Sequence, residues 1–187
     1  MTVLPAGTEV EYTVTWLQMT SCPTYDWPRL PSGPPATLLQ AVHPPRWWFL
    51  TLYDAVGRDY AWEDGQQEPP ERLQAYLDDG KNMYTLMREG VPAGFFMLDI
   101  SKDDVTDLTY FGLVPHAIGQ GLGTYLLRTA ILTGWQREGI TRMTVNTCTL
   151  DHPRALAHYQ KNGFIPVRRG DYKRTLTRDR DTSRIPA

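Results

Sequence analysis

Three glycines at alternate positions, Gly119, Gly121 and Gly123, stand between an apolar segment and an apolar helical pattern. Glycine in a helix interior costs about 0.5–1 kcal/mol relative to alanine, so three of them at the start of a helix need a reason. A helix N-terminus has unpaired N–H groups and a partial positive charge, and glycines let an anion approach without meeting a Cβ atom. A tight turn is the alternative, but one glycine is enough for it. The spacing therefore favours a phosphate-binding turn.

The residues around this turn differ from two common nucleotide-binding motifs. The dinucleotide fingerprint has the spacing Gly-x-Gly-x-x-Gly and an acidic residue about 20 positions later. Here the spacing is Gly-x-Gly-x-Gly, and the strand predicted at residues 141–147 has no acidic residue at its end. The ATP-binding loop needs Gly-Lys-Ser/Thr, whereas Thr124 follows Gly123 directly. Both motifs are therefore rejected.

Hydrophobic periodicity along the chain predicts a mixed α/β (α+β) fold, with a mainly antiparallel central sheet of about seven strands flanked by helices. Dense prolines predict an irregular surface loop at residues 22–45, inside the domain. Predicted strands lie at 9–19, 83–88, 93–100, 106–114, 141–147, 164–168 and 172–177, and predicted helices at 46–58, 69–79, 121–138 and 153–162.

Composition limits the classes of function that this chain can have. A length of 187 residues fits one domain, predicted at residues 1–177, and the charged residues 178–187 are predicted to be a disordered tail. The net charge of −2 argues against nucleic-acid binding. Two cysteines are too few for a disulfide framework or a zinc cluster. Without a secretory signal or a run of about 18 apolar residues, we expect a cytoplasmic protein that binds neither metal nor membrane.

A second motif lies downstream of the glycine turn. Residues 152–164 read HPRALAHYQKNGF, and the turn itself reads Gly119-Gln-Gly-Leu-Gly123. In this order they resemble the Asn-x-x-Ala-x-x-x-Tyr-x-x-x-Gly-Phe and Arg/Gln-x-x-Gly-x-Gly/Ala motifs of the GNAT superfamily of acyl-CoA-dependent N-acetyltransferases. Ile118 and His152 depart from the pattern, which has Arg or Gln and Asn at these positions. The resemblance covers residues 83–177.

The resemblance implies the acyl-CoA N-acyltransferase fold and an enzyme that moves an acetyl group from acetyl-CoA directly to a primary amine. Acetyl-CoA would lie in a V-shaped gap between the strands at 106–114 and 141–147, with its pantetheine amides along the first strand. Its pyrophosphate would lie on the turn at 118–124. The acceptor would be a small-molecule or peptide amine. Cofactor-binding residues implied in this way are Leu113, Val114, Ile118, Gly119, Gln120, Gly121, Leu122, Gly123, Thr124 and His152.

Two catalytic residues are also implied. Tyr159 occupies the tyrosine position of the family, and a phenol with a pKa of about 10 is a proton donor for the leaving thiolate at neutral pH. Asp107, which begins the strand at 106–114, is the first candidate for the base. The alternatives are a packed tyrosine beside Leu156 and a simple turn carboxylate. His158 is interpreted as a surface histidine, because it points about 100° away from Tyr159 on a helix.

Several features leave more than one interpretation open. Aromatic residues of the N-terminal half belong either to the core or to an acceptor pocket: Trp47, Trp48, Phe49, Tyr53, Tyr60 and Trp62. Nearby acids either attract a cationic amine or form a solvated face: Asp54, Asp59, Glu63 and Asp64. The apolar circumference of the helix at 121–138 suggests a homodimer. A non-catalytic acyl-CoA-binding sensor or partner module of the same fold is the alternative function.

Overall fold

A seven-stranded sheet organises residues 3–185, which are the residues that this computed structural model describes. The strands are β1 Val3–Leu4, β2 Glu9–Met19, β3 Ala36–Val42, β4 Lys81–Arg88, β5 Val91–Asp99, β6 Val105–Leu113, β7 Arg142–Cys148, β8 Ile165–Thr175 and β9 Arg180–Asp181. The α-helices are α1 Arg46–Gly57, α2 Asp64–Gln67, α3 Pro70–Asp78, α4 Leu122–Trp135 and α5 Ala155–Lys161. The large sheet has the order β3-β4-β5-β6-β7-β2-β8.

Strands β6 and β7 form the parallel pair of an otherwise antiparallel sheet. Their pairing covers three positions, from Val105 opposite Arg142 to Asp107 opposite Thr144, and then stops. The two strands separate beyond this point, which leaves a gap in the middle of the sheet. The predicted mixed, mainly antiparallel fold is confirmed.

Helices cover both faces of the sheet beside this gap. In α1 the buried residues Phe49, Leu52, Tyr53 and Val56 follow the spacing of one helical face. A Cβ atom on Gly112 of β6 would clash with the side chain of Val56, so this glycine lets α1 lie close to the strand. The neighbouring side chain on β6, Phe111, points to the opposite face of the sheet. On that face it packs against Tyr159 of α5.

The predicted loop at residues 22–45 is wrong in its second half. Strand β3 pairs with β4 from Ala36 opposite Arg88 to Val42 opposite Asn82. Prolines flank this strand but do not interrupt it, and as an edge strand it needs partners on one side only. The two strands predicted at 164–168 and 172–177 are one strand, β8, which pairs with β2 through Gly170. Because β3 is gained and two predicted strands merge into β8, the large sheet still has seven strands.

The prediction of a disordered tail is also wrong for the residues that the structure describes, up to 185. Strand β9 pairs with β1, and a short 3-10 helix follows at Thr182–Arg184. Arg180 donates hydrogen bonds to the carbonyl oxygens of Asp59 and Leu150. Polar contacts to distant segments order this segment, so its lack of apolar residues was misleading. Residues 186–187 of the predicted tail lie outside the described part.

Helix α4 is covered by the chain itself. Its apolar side chains Leu122, Leu126, Leu127 and Ile131 are all fully buried within the chain, and the indole N–H of Trp135 points to the sulfur of Met19 at 3.3 Å. The apolar pattern that suggested a homodimer is therefore accounted for without a second copy. Within residues 3–185 no helix is long and apolar enough to cross a membrane, and no group of three metal-ligating side chains lies together.

Candidate functional site

A cavity of about 470 Å³ lies in the gap where β6 and β7 separate. A β-bulge marks the fork: Met97 lies opposite Tyr110 and Leu98 opposite Leu108, so Thr109 is the extra residue on β6. The extra residue of a bulge leaves the hydrogen-bond ladder locally unpaired. The cavity walls come from β6, the glycine turn, β7 and α5. A narrow opening in the sheet is thus lined by main-chain groups as well as by side chains.

The glycine turn forms one end of this cavity. Gly119 and Gly121 have φ angles of +84° and +75°, which L side chains rarely adopt. A Cβ atom on Gly119 would have no atom within 4 Å, so the space in front of the turn is open. Gly121 precedes α4 without a side-chain cap, so the first N–H groups of the helix are free of a side-chain partner. The turn therefore has the geometry of an anion site.

Seven of the ten residues expected to bind the cofactor line the cavity: Leu113, Ile118, Gly119, Gly121, Gly123, Thr124 and His152. The side chains of the other three lie elsewhere. Leu122 is fully buried in the core, and the Gln120 amide donates to the carbonyl oxygen of His116 at 2.8 Å. The N–H of Val114 donates to the carbonyl oxygen of Ala93 at 3.0 Å, so this donor is already used.

His152 has a structural contact beside its place in the cavity wall. Its Nδ1 atom accepts a hydrogen bond from the N–H of Arg154 at 3.1 Å, where the chain enters α5. Burial, followed by the positive charge of Arg154, lowers the pKa of His152. Only its Nε2 atom is left for a ligand, and the ring is neutral at neutral pH.

Tyr159 lies in the cavity wall on α5 and is 6% exposed. Its ring packs against Phe111 and Phe164 with centroid distances of 6.1 and 6.0 Å. Burial raises the pKa of Tyr159 far above its ordinary value, and the charges of Asp151 and Asp107 raise it further. The phenol therefore carries its proton at every pH at which the protein would work.

Asp107 lies at the vertex of the fork but does not line the cavity. Its carboxylate accepts hydrogen bonds from the hydroxyl of Thr144 on β7 and, at 3.0 Å, from that of Thr109. Burial raises the pKa of Asp107 although both hydrogen bonds oppose the shift. Thr109, whose hydroxyl donates to the buried carboxyl, also lines the cavity.

Basic residues of α5 are the part of the site that the sequence reading missed. Arg154, His158 and Lys161 line the cavity, and their spacing of four and three residues puts them on one side of the helix. His158 is half-buried and its ring stacks on Phe111 at 6.3 Å, so its interpretation as a surface histidine is wrong. The helical spacing of the three basic residues was the signal that could have found them.

The opposite end of the cavity is lined by Tyr60 and Trp62. The indole N–H of Trp62 donates to Asp151 at 3.1 Å, and the second oxygen of Asp151 accepts from the hydroxyl of Thr147 and the N–H of Cys148. Phe49 and Tyr53 instead belong to the core, and Trp48 packs against it with its indole N–H donating to the hydroxyl of Thr85. Trp47 is 65% exposed. Of the aromatic residues considered, two therefore remain as candidates for an acceptor wall.

Most of the acids near this end are held in contacts within the chain, and Asp64, which is 80% exposed, is the one that fits the solvated face. Asp54 pairs with Arg178 at 2.6 Å, and Glu63 is 1% exposed and accepts from the N–H of Thr177 at 2.9 Å. Asp59 and Asp64 pair with Arg184 and Arg174. Each acid thus has a partner in the C-terminal part of the chain, although Asp54 also pairs with Arg58, four residues later. These contacts join residues 54–64 to the C-terminal segment.

Residues 49–164 match the Acetyltransferase (GNAT) family. No curated protein matches the sequence significantly. A tandem GNAT protein from the clavulanic acid biosynthesis pathway has a similar structure, with a TM-score of 0.60, 17% identity and coverage of 92% of this chain but 55% of its own. A GCN5-related N-acetyltransferase from Kribbella flavida has a TM-score of 0.55 and 17% identity, and the match covers 86% of this chain and 56% of its own. A putative GNAT acetyltransferase from Novosphingobium aromaticivorans has a TM-score of 0.57 and 15% identity, and the match covers 90% of this chain and 70% of its own. The chain thus spans little more than half the length of the first two, and at these identities the likeness shows the fold alone.

Proposed function

This chain belongs to the GNAT family of acetyltransferases, and we propose that it moves an acetyl group from acetyl-CoA directly to a primary amine. The observation that carries the proposal is the forked pair β6 and β7, with an open glycine turn at one end of its cavity and Tyr159 in the wall. An extended donor with an anionic diphosphate and two amides fits a cavity bounded by a free strand edge and a helix N-terminus.

The donor end would act through main-chain groups. The N–H groups at the start of α4 and in the turn would hold the diphosphate of CoA, with Gly119 leaving room for it. Because the N–H of Val114 faces β5, alternation along β6 turns the main-chain groups of Leu113 toward the gap. We infer that Leu113 pairs with a pantetheine amide and that Val114 does not.

The fork would supply the group that stabilises the oxyanion. Thr109 at the bulge has no residue opposite it on β5, so its main-chain N–H is our candidate donor. Donors of this kind stabilise the negative oxygen of a tetrahedral intermediate. The region of Leu113 and Val114 is a weaker candidate for this role because Val114 already donates to Ala93.

Proton transfer would involve two buried groups. Asp107 would take the proton of the attacking amine through the hydroxyl of Thr109, which gives its own proton to the carboxylate as it accepts the new one. Tyr159 would donate to the sulfur of the departing CoA. Burial raises the pKa of Tyr159, but it equally raises the proton affinity of a thiolate formed beside it.

The acceptor would enter between Tyr60 and Trp62, and small-molecule and peptide amines are both compatible with this opening. The test is thiol release from acetyl-CoA by the purified protein with a panel of primary amines, together with calorimetric titration of CoA. We expect micromolar binding of CoA and amine-dependent thiol release. Binding without turnover across a broad panel would instead favour the sensor or partner module. No binding of CoA would remove both functions.

A further inference from the structure

One polar atom in the cavity wall lacks a well-formed hydrogen bond. The Nε2 atom of His158 is buried and has no partner of normal hydrogen-bond geometry among the described residues, although the main chain of Gly123 is near enough to act on the pKa of the ring. It lies 4.0 Å from the position that a Cβ atom on Gly123 would take, so it faces the first turn of α4. Buried ring nitrogens without a partner are costly, and a ligand is one way to satisfy them.

The surroundings of His158 define which ligand would suit it. Its ring is fixed by stacking on Phe111 of β6, and its own helix places Lys161 in the same cavity wall. Arg128 of α4 adds a second positive charge near the ring. Gly123 and Thr124 line the cavity on the facing side and are without charge. An anion between the turn and His158 would therefore meet main-chain donors on one side and positive charge on the other.

We propose that His158 is a phosphate-binding residue, whose Nε2–H donates a hydrogen bond to the diphosphate of the CoA donor held on the glycine turn. This inference rests on the proposed function, because it assigns a role within the same site. The diphosphate is the group concerned, since His158 faces Gly123 in the turn and not the fork where the thioester would lie.

The test compares three ligands: CoA, dephospho-CoA, which lacks only the 3′-phosphate, and pantetheine, which lacks all the phosphates together with the adenosine. Dissociation constants are measured by calorimetry for the wild type and for His158→Phe, which keeps a ring beside Phe111 but has no donor. We expect CoA and dephospho-CoA each to bind about tenfold more weakly to His158→Phe, as is usual for a hydrogen bond to a charged group. Pantetheine should bind both proteins equally.

Two further variants control for packing. His158→Gln keeps an N–H near the position of Nε2 and should recover most of the affinity for dephospho-CoA. His116→Phe changes an exposed histidine of the loop before the turn, outside the cavity wall, and should bind all three ligands like the wild type.

Three results would overturn the inference. The first is that His158→Phe loses as much affinity for pantetheine as for CoA, which would make His158 a packing residue. The second is that this variant loses affinity for CoA alone, which would assign His158 to the 3′-phosphate. The third is unchanged binding of all ligands to His158→Phe. Failure of the wild type to bind CoA at all would remove the proposed function itself, and so the two failures are distinguishable.

Discussion

The two ends of the cavity are built in different ways. Its glycine-turn end comes from one short stretch, residues 118–124, whose conformation depends on positive φ angles at Gly119 and Gly121. Its aromatic end comes from Tyr60, Trp62 and Asp151, which belong to separate stretches that the C-terminal segment holds together. The glycine-turn end is formed by the main chain of a few neighbouring residues, so we expect it to be independent of distant contacts. The aromatic end is formed by side chains from separate loops, so we expect it to depend on the contacts that hold these loops together.

Tyr159 lies in the wall of the same cavity, and the largest expected effect is there. Tyr159→Phe should lower kcat about a hundredfold, because general acid catalysis by a positioned side chain contributes factors of this size. CoA affinity should stay within about twofold, since the ring and its packing are kept. Steady-state kinetics and calorimetry measure the two quantities. An unchanged kcat would show that Tyr159 takes no part in the chemistry.

Arg180 tests whether the aromatic end depends on the C-terminal segment. This side chain is 9% exposed, and it joins the carbonyl oxygens of Asp59 and Leu150, at 3.2 and 2.8 Å. Each acceptor directly neighbours a residue of the cavity wall, Tyr60 or Asp151. Arg180→Met should lower the free energy of unfolding by about 2–3 kcal/mol, because two buried carbonyl groups lose charged donors.

Denaturant unfolding measures this loss of stability, and kinetics should show a higher KM for the amine with unchanged affinity for CoA. Arg184→Met is the matched control, because Arg184 is 55% exposed and pairs with the same residue, Asp59. Arg184→Met should lower the free energy of unfolding by less than about 1 kcal/mol, as is usual for exposed ion pairs. A large change in CoA affinity in Arg180→Met would show that the two ends are not independent.

Gly119 tests the main-chain end. Gly119→Ala strains a φ of +84°, so it should destabilise the turn by about 1–2 kcal/mol and weaken CoA binding about tenfold. Gly7 is a matched control: its φ is +87°, a Cβ atom there would also meet nothing within 4 Å, and it lies outside the cavity wall. Gly7→Ala should cost similar stability but leave calorimetric CoA affinity unchanged. Equal effects of the two variants on binding would contradict a special role of the turn.

The smallest expected effect is a pH dependence at the same end. Burial holds the pKa of His158 below its ordinary value in the free protein. The main chain of Gly123 opposes this shift, and the positive charges of Lys161 and Arg128 add to it. A bound diphosphate would raise this pKa, so the complex takes up a proton. Affinity should therefore increase about threefold as the pH falls from about 7 to 5.5, and be lost again as the pH rises through the raised pKa.

Dephospho-CoA is the ligand for this measurement, because it lacks the 3′-phosphate that titrates near pH 6. His152, another cavity histidine with a lowered pKa, remains in both proteins compared, the wild type and His158→Gln. The pH dependence should be absent from His158→Gln. An equal slope in the two proteins would assign the titration to another group.

Most elements of the fold could be predicted from local patterns. The alternation in residues 9–19 and the helical spacing of Phe49, Leu52 and Val56 correspond to β2 and α1. Local patterns failed for β3, because the proline-rich composition of residues 22–45 predicted a loop. The prolines lie outside the strand itself, which forms by pairing with β4. Local patterns failed again in β9, a two-residue strand that pairs only with β1. Local sequence did not identify either strand, because each is defined by its pairing with another segment, β4 for β3 and β1 for β9.

The sequence by itself determined the glycine turn, because positive φ angles and a bare backbone are properties of glycine wherever it stands. It also determined the position of Tyr159, which follows the turn in the order of a familiar pair of motifs. Only the tertiary structure decided that His158 faces the turn, that Asp107 accepts a hydrogen bond from Thr109 of the cavity wall, and that the acids of residues 54–64 pair with C-terminal arginines. The reason is that these contacts join residues 2 to more than 120 positions apart, where burial and strand register choose the partner.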